Sequence, residues 1–148
     1  MQKKTLQEVR EIAETQPICS IPGLTFMSAL SDKDGNVLHI VPGQGHTYYE
    51  KPEYRILTNF SPYKEDRTSH PWMGWDRYQK AEELLESADD DFDVDDCFHV
   101  LQKVSQTVCP TEVSMVFDVA ERTVYWCERR DWENRKQYYL ASAKMLNN

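Results

Sequence analysis

The pentapeptide Asp32-Lys33-Asp34-Gly35-Asn36 obliges the chain to reverse direction. Asp, Gly and Asn tolerate positive φ and bond their own backbone, so such a cluster closes a tight turn. Leu24 to Ser31 and Val37 to Val41, the apolar stretches on either side, then read as the two strands of a β-hairpin. Pro42-Gly43-Gln44-Gly45 breaks the second strand, and Thr47-Tyr48-Tyr49 and Arg55-Ile56-Leu57-Thr58 read as the next two. A local reversal of this kind commits the first half of the chain to antiparallel pairing.

Helical signals flank these strands. Thr5-Leu6-Gln7-Glu8 has the form of a capping box, and Leu6, Val9, Ile12 and Ala13 then fall on one helical face until Pro17. Ser61 to Gly74 is a loop, and Asp76 to Ser87 is a helix carrying Ala81, Leu84, Leu85 and Ala88 on one face. After the acidic break from Asp89 to Asp93, a helix over Val94 to Thr107 turns Val94, Cys97, Phe98, Leu101 and Val104 inward. A second hairpin pairs Glu112 to Val119 with Thr123 to Glu128 around Ala120-Glu121-Arg122, and Gln137 to Leu140 is a last strand. With no βαβ alternation, the expected class is α+β, an antiparallel sheet covered by helices, in a single domain over residues 1–148.

The chain has 148 residues, of which 40% are hydrophobic and 28% charged, enough for a real core. Its formal net charge of -8 argues against nucleic acid and against anionic membrane surfaces as partners. No apolar run reaches the ~20 residues of a membrane span. Gln7, Glu8, Arg10 and Glu11 interrupt any signal-peptide core, so the expected location is cytoplasmic. Cys19, Cys97, Cys109 and Cys127 form no CxxC pair and are expected to be reduced; Cys109 and Cys127 read as core or strand residues.

Neither a metal nor a cofactor is implied. The run Asp89-Asp90-Asp91-Phe92-Asp93-Val94-Asp95-Asp96 has Val94 where a calcium-binding EF-hand loop needs glycine, so it reads as a solvated acidic cap on the following helix. His39 alternates with Leu38 and Ile40 and is expected to point outward; His99 lies in a helix; His46 and His70 lie in loops near strand ends, positions from which a pocket can be lined, but no spacing marks a metal site or a Cys–His pair and all four read as structural.

Two residues have chemistry suited to a reaction centre. Asn59 ends the short strand over Arg55–Thr58, and its amide NH2 can donate to a developing oxyanion. The alternative is a local Asx turn. Arg77 sits in the first turn of a helix, where a cation opposes the helix dipole unless it serves something. The alternatives are stacking on Trp75 or Tyr78 and pairing with Asp76.

In order and wording, Leu57-Thr58-Asn59-Phe60, Trp75-Asp76-Arg77-Tyr78, Pro110-Thr111-Glu112-Val113-Ser114-Met115-Val116-Phe117-Asp118 and Thr123-Val124-Tyr125-Trp126-Cys127 resemble the carboxy-terminal half of the choloylglycine hydrolase family. These are linear amide C–N hydrolases, among them bile salt hydrolases and penicillin V acylases. The resemblance implies an αββα amino-terminal nucleophile hydrolase sandwich, with Asn59 and Arg77 as catalytic-site residues: an oxyanion-hole donor and an active-site guanidinium. The family's nucleophile is an amino-terminal Cys. This chain opens Met1-Gln2-Lys3-Lys4, and Phe60-Ser61-Pro62 departs from the Asn/Ser-Pro that often follows the family's Asn. The expectation is a carboxy-terminal portion of the catalytic domain, inactive alone and exposing an apolar sheet face. An amino-terminal partner chain would supply the thiol, and the complete form would be a homo-oligomer acting on a small amphipathic amide. An acyltransferase of the same superfamily and a non-catalytic ligand-binding or interaction module are the alternatives.

Overall fold

The computed structural model describes residues 5–21, 26–63, 74–89 and 91–140. The class is α+β, with antiparallel strands in two three-stranded sheets. The chain divides into two compact units, 1–82 and 83–148.

In the first unit, helix α1 (Leu6–Thr15) starts where the capping box places it. Thr5 Oγ1 accepts from the Glu8 amide at 3.2 Å, and the Glu8 carboxylate accepts from the Thr5 amide at 2.7 Å. Strands β1 (Ser28–Ser31), β2 (Val37–Val41) and β3 (Gly45–Tyr49) form a meander in the order β1-β2-β3. The β1–β2 turn is built as its residue types dictate. Asp32 accepts from the amides of Asp34 and Asn36 and from the Asn36 side chain, each at 3.0 Å, while Gly35 supplies φ +83°. The bond from the Asn36 side chain is the largest influence holding the Asp32 carboxyl below its ordinary pKa. Pro42-Gly43-Gln44 proves to be a second tight turn, so β3 begins at Gly45 rather than Thr47.

Leu6 of α1 packs with Leu38 and Ile40 of β2 as the core of this unit, and Val9, Ala13, Ile18, Leu30 and Tyr48 border it. Two sequence expectations fail here. Arg55–Thr58 is not a strand but an irregular segment outside any ladder among the described residues. Its β-prone composition has no partner strand to pair with. Nor does His39 point outward; it is 3% exposed. Leu38 and Ile40 face the α1 core, while His39, on the opposite face of the central strand, packs edge-on to Tyr49 at 5.3 Å between ring centroids. Both faces of β2 are covered, so alternation no longer separates inside from outside. The expected start of β1 at Leu24 lies outside the described residues, and Phe26 and Met27 precede the ladder.

Helix α2 (Trp75–Glu86) runs across the boundary between the units. In the second unit, Asp93 caps helix α3 (Val94–Lys103), accepting from the amides of Asp95 and Asp96, while Asp96 answers the Asp93 amide at 3.0 Å. Asp93 and Asp96 of the acidic run cap this helix, as expected, and Asp90 lies outside the described residues. Helix α3 closes at Val104, short of Thr107. Strands β4 (Val113–Asp118), β5 (Thr123–Glu128) and β6 (Lys136–Tyr139) form the second sheet in that order, with β6 one residue earlier than expected. Ser114 and Cys127 are directly paired and buried, and α3, with Phe98 buried, packs against β4. The opposite face leaves Val113, Met115 and Phe117 of β4 and Tyr138 of β6 exposed. Cys127 is a core residue as expected, whereas Cys109 is exposed in a turn after α3. All four cysteines are free thiols. Among the described residues no helix is long and apolar enough to cross a membrane.

Candidate functional site

Asn59 and Arg77, 18 positions apart, meet. Arg77 Nη2 donates to Asn59 Oδ1 at 2.6 Å. Neither an Asp76 pair nor stacking accounts for Arg77: the Trp75 and Tyr78 rings stack on one another, with centroids 5.4 Å apart. The contact fixes the orientation of the Asn59 amide. A guanidinium offers donors only, so the amide must turn its oxygen to Arg77 and its NH2 away. Asn59 itself is exposed. The Arg77 Nε is buried without a hydrogen-bond partner among the described residues, which costs free energy that an ordinary surface Arg would not incur.

Gly74 is what permits this approach, and sequence reasoning missed it. Its φ is +110°, and a Cβ built there would stand 2.8 Å from the Asn59 backbone nitrogen, 3.1 Å from Thr58 Oγ1 and 3.2 Å from Arg77 Nη2. Thr58 Oγ1 donates to the Gly74 carbonyl at 2.9 Å and ties the irregular segment to the start of α2. The available signal was a glycine directly before Trp75-Asp76-Arg77. Gly74→Ala is expected to destabilise the protein by about 1–3 kcal/mol, because a residue with a Cβ is strained at this φ. It should also part Asn59 from Arg77. A denaturant melt and a crystal structure of the variant check both effects.

Beside the pair lies a cleft of about 280 Å3 lined by His39, Tyr49, Tyr54, Arg55, Ile56, Leu57, Thr58, Phe60, Pro62 and Tyr78. Thr58 and Phe60 flank Asn59 in sequence, and Tyr78 follows Arg77. Phe60 meets Trp75 and Tyr78 edge-on, at 5.3 and 5.4 Å. Burial, and then the Arg55 charge, lower the His39 pKa below its ordinary value, which favours the neutral imidazole.

No cysteine lines this cleft. Burial, assisted by Asp96 and Asp93, raises the pKa of Cys97, and burial raises that of Cys127, so both are thiols and not thiolates at neutral pH. Cys19 is exposed and shares a second groove, about 250 Å3, with His46. His99 lines a third, with Phe92 and Asp96. His70 lies outside the described residues. Among the described residues no group of three or more His, Cys, Asp or Glu is placed to hold a metal ion.

Comparison with known proteins adds no relative: no family model, no curated protein and no solved structure matches the chain.

Proposed function

We propose that this chain is a carboxy-terminal portion of the catalytic domain of a cysteine amide hydrolase that cleaves linear, non-peptide C–N bonds. The observation that carries the reading is the 2.6 Å bond from Arg77 to the Asn59 oxygen. An oxyanion-hole asparagine must present its NH2, and a guanidinium clamped on its oxygen holds it that way. The family resemblance of the flanking segments implies these same two residues.

In this reading a thiolate from outside these 148 residues, on a preceding segment or a separate partner chain, attacks the amide carbonyl carbon. The C=O π electrons move to oxygen, and the Asn59 NH2 stabilises the oxyanion. The proton that a base took from the thiol passes to the leaving nitrogen as the tetrahedral intermediate collapses; the C–N bond breaks, the amine departs, and water hydrolyses the remaining thioester to the acid and the free thiol. The substrate class is a small amphipathic amide, such as a bile-acid conjugate, penicillin V or an N-acyl amide. Transfer of the acyl group to an amine would be the acyltransferase version. The αββα sandwich belongs to the same reading, supported by the exposed Val113, Met115, Phe117 and Tyr138, a sheet face suited to covering by another layer. So does a homo-oligomeric complete form.

No cysteine lines the cleft beside the pair, which favours one alternative, a non-catalytic ligand-binding module. An assay of the natural full-length protein on glycocholate, penicillin V and N-acyl amides separates the two. Turnover that is lost on thiol blocking and survives Cys19→Ser is the expected result. Loss on Cys19→Ser would move the nucleophile to the groove shared with His46. No turnover on any of the amides would leave the binding module.

A further inference from the structure

The cleft beside the Asn59–Arg77 pair has a chemical character of its own. Its described walls carry four aromatic rings, from Tyr49, Tyr54, Phe60 and Tyr78, and no acidic residue among the described residues. Arg55 stands at this cleft with its guanidinium 4.2 Å from the centre of the Tyr49 ring, and its Nη1 donates to the Tyr54 carbonyl at 2.7 Å. No carboxylate pairs with Arg55 among the described residues, although the protein carries a net charge of -8. An exposed cation left without an acid in so acidic a chain, braced against a ring and a carbonyl, keeps N–H donors for an outside acceptor.

The second observation is independent of the first. His39 is the fully buried member of the described lining, and its Nε2 has no hydrogen-bond partner among the described residues. A buried polar atom without a partner costs stability, so the residue behind the cleft wall holds a hydrogen-bonding capacity that no described group uses. At about 280 Å3 the space lies at the low end of small-molecule sites and suits a ligand built on one ring.

We propose that this cleft binds a small aromatic carboxylate. Its ring lies among Tyr49, Phe60 and Tyr78, and its carboxylate takes the free donors of Arg55. The assignment goes beyond the hydrolase reading and stands without it, since it concerns equilibrium binding and not turnover.

Calorimetric titration of phenylacetate and of its neutral isostere phenylacetamide into the full protein, with its thiols blocked so that the amide is not turned over, tests it. Phenylacetate is expected to bind about 10-fold more tightly or better, the scale of a charge-assisted hydrogen bond. The protein's overall negative charge works against that order, so a preference for the anion must be local. Arg55→Gln should erase the preference and leave phenylacetamide binding unchanged, and Arg55→Lys should restore part of it. The residue is exposed, so the fold should survive both substitutions, which circular dichroism verifies. Equal affinity for acid and amide, no phenylacetate binding at millimolar concentration, or a preference that persists in Arg55→Gln would each overturn the assignment.

Discussion

Asn59→Ala, made in the natural full-length protein, is expected to lower amide turnover about 100-fold while the melting temperature stays nearly fixed. The two halves of that expectation have separate causes. Asn59 is exposed, so removing its amide leaves little buried polarity uncompensated. Its NH2 would act on charge that exists only after the thiolate has attacked. The loss should therefore fall on kcat with little change in KM. A variant that keeps the wild-type kcat would remove Asn59 from the chemistry. A variant that loses kcat together with several degrees of melting temperature would make it a structural residue.

Local turn and cap chemistry could be read from the sequence because it is decided within five residues. Thr5 and Glu8, Asp32 and Asn36, and Asp93 and Asp96 each find their partner three or four positions away, and each does in the structure what its residue type predicts. Failures begin where the outcome depends on something distant. Arg55-Ile56-Leu57-Thr58 has the composition of a strand, but a strand exists only with a neighbour to pair with, and composition carries no information about that neighbour. His39 was misplaced for a related reason. Alternation marks inside from outside only where one face of a strand meets water, and β2, central in its sheet, meets α1 on one face and the Tyr49 side on the other.

The candidate site divides along the same line. Nothing in periodicity or spacing brings Asn59 to Arg77 across 18 residues; only the family resemblance pointed to that juxtaposition. Gly74 and the Arg55–His39 cleft had no comparable pointer. A glycine in a loop reads as a loop glycine until the atoms that would meet its Cβ are known, and an arginine that lacks an acid is visible only once its neighbours are placed.

Phe98→Ala is expected to cost about 3–5 kcal/mol, the range for deleting a buried aromatic side chain. The second unit has few buried side chains to absorb such a loss. Phe98 is 1% exposed, and Val124 and Cys127 are the other buried apolar residues described there. Part of the ring's worth lies in what it organises. The Arg135 guanidinium stands 4.4 Å from its centroid, bonds Asp95 through Nη1, and reaches the Trp132 carbonyl through Nε at 3.0 Å. Deleting the ring removes both the packing between α3 and β4 and the surface that steadies this arginine. Total stabilities of small domains are about 5–15 kcal/mol, so this unit should open well below the unfolding transition of the wild type. Hydrogen exchange reads the effect by position: amides of β4, β5 and β6 should lose protection in Phe98→Ala, while those of β2, whose core is Leu6, Leu38 and Ile40, keep theirs. Equal loss in both sheets would mean that the two units unfold as one cooperative body, and unchanged protection in β4 to β6 would mean that Phe98 is not the centre of that core.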